Sequence, residues 1–103
     1  MYVSHLAFCT LPGKTHDVEE QLKKLLDMVI KAGGTKARVL RTHFASLGAP
    51  DVLFEQEAHD LAALESQIKS VTESPEFQQW TKQMSALLSQ PPKRELYLIV
   101  ESK

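Results

Sequence analysis

The chain has 103 residues, a net charge of −1, 43% hydrophobic residues and 24% charged residues. This length and composition predict one soluble globular domain over residues 1–103. Because positive charge is not in excess, we expect no nucleic acid partner. The single cysteine, Cys9, excludes an internal disulfide and fits a reducing compartment. We see no basic leader followed by an apolar segment and no membrane span, so we expect a cytoplasmic protein with no membrane partner.

The amino-terminal third predicts a strand followed by a helix. Residues 2–10 carry β-branched and aromatic side chains and stop at the turn residues Leu11–Pro12–Gly13. Asp17 has capping-box spacing for a helix that follows, with Thr15 as the competing N-cap. Gly33–Gly34 ends this helix, since glycine adopts the left-handed conformation of a helix end. The apolar stripe of the helix consists of Val18, Leu22, Leu25, Leu26 and Val29.

The rest of the chain predicts a hairpin, a broken helix and a last strand. Residues 37–45 and 52–58 read as strands joined by a loop too short for a crossover, so the pair is antiparallel. Asp60 caps the next helix, and Ser74–Pro75 interrupts it and caps its continuation. Residues 96–100 form the final strand. The two helical stripes contain Leu61, Leu64, Ile68 and Val71, then Phe77, Trp80, Met84, Leu87 and Leu88.

This order, βαββαβ, predicts an α+β ferredoxin-like fold. Each strand–helix–strand unit crosses over right-handed, which places the helices on one face of a four-stranded antiparallel sheet. The expected strand order is 4-1-3-2.

The last strand indicates that this sheet has a second cover. Residues 96–100, Leu-Tyr-Leu-Ile-Val, are apolar at five consecutive positions, whereas a half-exposed strand alternates. Covering three or four such side chains would contribute several kcal/mol, at ~1.5–3 kcal/mol each. We therefore expect a homodimer that packs sheet face against sheet face.

Three segments in the middle of the chain carry a family resemblance: Leu53–Phe54–Glu55, His59–Asp60–Leu61–Ala62–Ala63–Leu64–Glu65 and Ser74–Pro75–Glu76–Phe77. Together with the element order, they resemble the dimeric α/β-barrel superfamily, and within it the antibiotic-biosynthesis-monooxygenase-like and NIPSNAP-like families. The resemblance implies two protomers packed sheet to sheet around a pocket. The pocket asparagine of haem-degrading and some cofactor-free oxygenase members has no counterpart, because the chain contains no asparagine.

Strand alternation yields the candidate site residues. The large apolar residues are expected to face the helices, among them Phe8, Leu40, Phe44, Val52 and Phe54. His5, Arg41, His43, Glu55 and Tyr97 then fall on the opposite face. His43, His5 or Glu55 would transfer a proton, and Arg41 would hold a carboxylate or enolate oxygen, with Tyr97 as a further ligand contact.

Two other interpretations of these residues remain open. Arg41 and Glu55 would form a structural cross-strand ion pair while the histidines pack in an interface. Alternatively, two histidines and a carboxylate would bind a metal ion, although His5 and His43 lie on strands ~10 Å apart. No metal-spacing or phosphate-loop motif is present, so we expect neither a metal nor a cofactor.

Two functions fit these patterns. The first is a cofactor-independent, monooxygenase-like or isomerase-like enzyme that acts on a small hydrophobic, oxygenated metabolite. The second is a non-catalytic dimer that binds a small ligand or serves as a stress or accessory factor.

Overall fold

A computed structural model describes residues 1–34 and 36–103. Its elements in chain order are β1 (Tyr2–Phe8), α1 (Thr15–Lys31), β2 (Ala37–Arg41), β3 (Val52–Ala58), α2 (Leu61–Thr72), α3 (Pro75–Ser85) and β4 (Lys93–Leu98). The strands form one antiparallel sheet in the order β2-β3-β1-β4. The predicted ferredoxin-like α+β fold, the strand order and the break between α2 and α3 are confirmed.

Three strands begin or end at residues other than those predicted from the sequence. β1 ends before Thr10, whose N–H donates to the Asp51 carboxylate at 2.8 Å instead of continuing the ladder. β2 ends at Arg41 rather than residue 45, because the Thr42 hydroxyl donates to the Pro50 carbonyl at 2.6 Å as the chain turns. β4 starts at Lys93 and ends at Leu98, which pairs with Tyr2 at the start of β1.

The start of α1 differs from the prediction. Its N-cap position is Lys14, whose side chain makes no capping hydrogen bond, so Asp17 as the cap is wrong. Thr15 is already helical, and its hydroxyl lies 3.0 Å from that of Thr10. Asp17 lies in the first turn, where a carboxylate stabilises the helix dipole without capping. The predicted end is confirmed, with Gly33 at φ +92°.

The two other helix starts are confirmed. The Asp60 carboxylate accepts from the Ala63 N–H at 2.7 Å, and the Ser74 hydroxyl accepts from the Phe77 N–H at 3.2 Å. Pro75 occupies the first turn of α3, where a proline costs no hydrogen bond.

The core lies between the helices and one face of the sheet. Its buried members include Phe8, Val18, Leu22, Leu25, Val52, Phe54, Trp80 and Met84. The predicted inward direction of Phe8, Val52 and Phe54 is therefore confirmed. None of the helices in the described part of the chain combines the length and hydropathy that crossing a bilayer requires.

Candidate functional site

The two faces of the sheet carry different side chains. The helix-side face packs against the core, and the open face is turned away from the helices. By strand register, the open face consists of Val3, His5, Ala7, Arg38, Leu40, Leu53, Glu55, Glu57, Lys93, Glu95 and Tyr97. The helix-side face includes Ser4, Leu6, Gln56 and Arg94.

Three open-face side chains from neighbouring strands form a hydrogen-bonded cluster. His5 and Glu55 are directly opposite residues of β1 and β3, and His5 Nε2 lies 2.9 Å from Glu55 Oε1. Their side chains are 23% and 12% exposed. Arg38 of β2 donates its Nε–H to Glu55 Oε2. Glu55 therefore bridges a histidine and an arginine, and the alternative interpretation that pairs Glu55 with Arg41 is wrong.

The environment of Glu55 favours its ionised form. Partial burial raises the pKa of this carboxyl, but the hydrogen bonds from His5 and Arg38 outweigh it and hold the pKa below the ordinary value of 4.5. A carboxylate that remains ionised accepts a hydrogen bond from the ring of His5 and fixes its orientation. The pair thus has the arrangement of a proton carrier and the group that orients it.

Tyr97 of β4 borders this cluster. Its ring contacts that of His5 edge to face, with centroids 5.3 Å apart. Its hydroxyl donates to Glu95 Oε2 at 2.8 Å, and this hydrogen bond raises the pKa of Tyr97. The structure thus brings His5, Glu55 and Tyr97 together, as the sequence predicted.

Arg41 lies on the other side of the sheet, which corrects the predicted face. It is opposite the buried Val52, and its Nη2 and Nε donate to the two Glu19 carboxylate oxygens at 2.6 Å and 2.5 Å. This contact lowers the pKa of Glu19, despite an opposing effect of burial. The assignment failed because Leu40, the large apolar residue used to choose the face, points to the open side.

His43 is also outside the cluster. It lies in the bend after β2, is exposed, and contacts only Phe44 closely among aromatic rings, edge to face at 4.5 Å. The prediction extended β2 to residue 45, and this placed His43 in the ladder. The prediction that His43 lies on the open face is therefore wrong.

A cavity of about 60 Å³ lies on the helix-side face. Its floor is formed by side chains of β1, β3 and β4, and its roof by the three helices. The apolar lining consists of Leu6, Leu25, Val29, Phe54, Ile68, Val71 and Phe77. The polar lining consists of Ser4, Gln56, Gln67, Thr72 and Arg94.

Among the described residues, Arg94 is the one ionisable side chain that lines this cavity. The residue is exposed at the β4 edge of the sheet, but its guanidinium reaches inward and donates to the buried Ser4 hydroxyl at 2.8 Å. Burial lowers the pKa of Arg94, with no opposing contribution from a carboxylate. Within the described residues, the guanidinium has no ion-pair partner, so the cavity combines an apolar lining with one available positive charge.

Arg94 was not among the predicted site residues because the last strand was expected to begin at Leu96. Strand alternation from Leu96 and Leu98 back to Arg94 was the available signal, since these residues share the helix-side face.

In the described part of the chain, no three His, Cys, Asp or Glu side chains converge closely enough to hold a metal ion. His5 and Glu55 therefore form a pair rather than part of a three-ligand set.

Neither the protein-family models nor the curated protein sequences give a match to this chain. Several solved structures match it closely in shape. A NIPSNAP domain protein from Burkholderia xenovorans has a TM-score of 0.77 at 14% identity, over 97% of this chain and 95% of that one. A protein from Nitrosomonas europaea that carries the name antibiotic biosynthesis monooxygenase has a TM-score of 0.70 at 16% identity, over 98% and 100%.

A third match is a cofactor-independent oxygenase from Streptomyces nogalater, with a TM-score of 0.70 at 14% identity over 98% of this chain and 95% of that one. At such identities the likeness concerns the fold. The chain therefore has the ferredoxin-like fold shared by NIPSNAP domain proteins and antibiotic biosynthesis monooxygenases.

Proposed function

We propose that this protein binds a small, largely apolar molecule with an anionic oxygen group in the cavity on the helix-side face. The observation that carries the proposal is Arg94, a partly desolvated guanidinium that contacts a neutral hydroxyl, Ser4 Oγ, at 2.8 Å. A charge taken from water without a counter-ion is costly, and a carboxylate or enolate from a ligand would compensate it. The apolar lining would accept the rest of the molecule.

Trp80, the single tryptophan of the chain, provides a fluorescence readout for a binding experiment. Its ring stacks on that of the cavity residue Phe77, with ring centroids 5.3 Å apart. We expect acetate, butyrate and benzoate to change its fluorescence, with benzyl alcohol as the uncharged comparison. Arg94→Met should weaken carboxylate binding about 10- to 100-fold, the range for a charged hydrogen bond. Lys24→Met, which removes an exposed positive charge from α1, should not. Equal weakening by both variants would contradict the proposal.

A catalytic role is the second candidate, and the His5–Glu55 pair supports it. His5 would move a proton to or from an oxygenated substrate while Glu55 orients the ring, in a monooxygenase-like or isomerase-like reaction. Structures of similar fold include a protein named as a cofactor-independent oxygenase, which favours such chemistry. Tyr97 would border the substrate. Arg38 takes the position expected for Arg41, and His43 has no part.

Proton abstraction gives this second candidate a direct test. We expect the protein to accelerate hydrogen–deuterium exchange at the α-carbon of 2-tetralone, followed by NMR. His5→Ala should reduce the acceleration about 100-fold or more, as for loss of a general base. Glu57→Gln, on the same face, should retain it. Exchange that is unaffected by His5→Ala would leave the non-catalytic, ligand-binding role as the function.

We also propose that a second copy of the chain covers the open face. On this face Tyr97 is 46% exposed; Leu96 and Leu98 of the same edge strand, which alternate to the helix side, are 44% and 59% exposed. Val3, Leu40 and Leu53 add apolar surface beside them. Burying such surface contributes about 25 cal/mol per Å². Two copies would also shield His5 and Glu55 from water, which strengthens electrostatic interactions between them.

A further inference from the structure

The cavity is too small for a ring-shaped ligand as it stands. Its volume is about 60 Å³. A cavity that holds benzene has about 150 Å³ in a well-studied case, whereas one water needs only about 10–15 Å³ on this scale. The present space therefore suits a few waters or an acetate-sized anion. A larger molecule requires one wall to move.

Of the two lightly buried helices, α2 is the one that forms most of the cavity wall, since α3 also buries only two residues but contributes Phe77 alone to the lining. Only Leu64 and Val71 of its twelve residues are buried, although the helix contributes four residues to the cavity lining. In contrast, α1 buries six residues. The floor consists of paired strands held by their backbone hydrogen bonds. Segments with few buried contacts open at low free-energy cost, so displacement of α2 would be the easiest way to enlarge the cavity.

One side-chain hydrogen bond fastens the middle of α2 to the floor. The Gln56 amide of β3, in a residue only 6% exposed, donates to Gln67 Oε1 of α2. Gln67 also donates to the Gly33 carbonyl at 3.5 Å, a long contact. Both glutamines line the cavity. Outward movement of α2 would therefore break this bond and leave the buried Gln56 amide without a protein partner.

The Gln56 side chain packs closely against Gly34. A Cβ atom at Gly34 would lie 3.3 Å from Gln56 Nε2 and 2.5 Å from Val29 Cγ1. Glycine thus allows the backbone to pack closely against the amide. Because Gln56 belongs to a central strand and Gln67 to a lightly anchored helix, Gln67 is the partner that can withdraw.

We propose that α2 is a movable wall held shut by Gln67, and that Gln56 then binds a second oxygen of the ligand. This inference rests on the proposed binding function of the cavity. Gln56 and Arg94 lie on the two strands that flank β1, two residues out of register. Their backbones are roughly 12 Å apart, from ~4.8 Å per strand and ~3.4 Å per residue. Two long side chains leave room for a ring with oxygen groups at opposite ends.

Ligand kinetics test the wall. In stopped-flow measurements of Trp80 fluorescence, Gln67→Leu should raise the association rate of benzoate about two- to twelvefold, the worth of one hydrogen bond. The dissociation rate should change less, because the Gln56–Gln67 bond is already broken when benzoate is bound. Gln78→Leu, at an exposed glutamine of α3, is the matched control. Acetate binding, followed through the Arg94 Nε–H NMR signal, should be unaffected because acetate fits without movement. Unchanged benzoate rates would overturn the movable wall.

Specificity tests the role of Gln56. The wild type should prefer 4-hydroxybenzoate to benzoate, and Gln56→Met should abolish that preference while carboxylate binding through Arg94 persists. Retained preference in Gln56→Met would overturn the second contact. Amide hydrogen exchange, measured without ligand, tests the movable wall even if a variant binds ligand poorly. The α2 amides should exchange faster in Gln67→Leu than in Gln78→Leu. Equal exchange in the two variants would contradict the proposal that Gln67 holds α2 in place.

The two proposals fail in different ways. Carboxylate binding that does not depend on Arg94 overturns the binding function and this inference with it. Arg94-dependent benzoate binding at wild-type rates in Gln67→Leu overturns the inference alone.

Discussion

Glu55 receives hydrogen bonds from side chains of two other strands, His5 of β1 and Arg38 of β2. The lowered pKa of this carboxyl means that folding favours its ionised form. Such a group stabilises the folded state above its unfolded pKa, near 4.5, and this contribution is lost as the pH falls through the lower, folded pKa.

The first prediction concerns this pH dependence. Glu55→Gln should lower the free energy of unfolding by about 1 kcal/mol at pH 7. The effect is limited because the partner Arg38 is largely exposed, and solvent screens its interaction with Glu55. The difference from the wild type should be smaller at pH 3, because protonation of the Glu55 carboxyl progressively removes its contribution as the pH falls. Urea unfolding at the two pH values measures it. Glu57→Gln should cost less than about 0.5 kcal/mol. A wild-type–variant difference that grows at pH 3 would contradict the assignment.

At the level of elements, the helix ends show where local sequence is decisive. Asp60 and Ser74 were predicted from the sequence and both accept a hydrogen bond from the N–H three residues on. α1 shows the limit. Asp17 satisfies the same pattern, but the helix begins earlier because Thr15 is held against Thr10. A local signal was overridden there by a contact with another segment.

The second prediction tests the cap that starts α3. Ser74→Ala should lower the free energy of unfolding by about 1 kcal/mol, because the Phe77 N–H in the first turn of the helix loses its acceptor. Ser70→Ala, at an exposed position within α2, should have little effect or stabilise slightly, since alanine is the better helix former. Thermal and urea unfolding of the two variants provide the comparison. Equal losses would show that the cap contributes nothing specific.

At the level of the whole molecule, helices cover only one face of the sheet. β4 is exposed at every position, including Leu96, Tyr97 and Leu98 of the apolar run 96–100. An edge strand with unpaired backbone groups and apolar side chains is a surface that proteins normally cover. This exposure supports the proposed homodimer, whose interface we expect on the open face and along β4.

The third prediction is the oligomeric state. At micromolar concentration, sedimentation should give twice the chain mass of 11.6 kDa. Tyr97→Lys should shift the protein toward the single-chain mass, because a charge would be buried in the interface without a partner. Leu61→Lys, at a 42% exposed position on α2 away from the open face, should not. A wild type that sediments as a single chain would remove the homodimer and the enclosed open-face site.

The sequence alone determined the order of the elements, the antiparallel strand order, the caps at Asp60 and Ser74 and the end of α1 at Gly33. These features follow from periodicity, capping and chain crossover rules, which act over short stretches or depend only on element order. It also brought His5, Glu55 and Tyr97 to one face, because alternation along correctly identified strands requires no further information.

The tertiary structure decided what depends on contacts between distant segments. Alternation gives the two sets of side chains on a strand, but the partners on other elements decide which set faces the helices. Thus Glu19 of α1 places Arg41 on the helix side, and Arg38 becomes the partner of Glu55. The cavity around Arg94 and the Gln56–Gln67 contact form only when the helices pack on the sheet. Both depend on residues that are far apart in the sequence, and no local periodicity relates them.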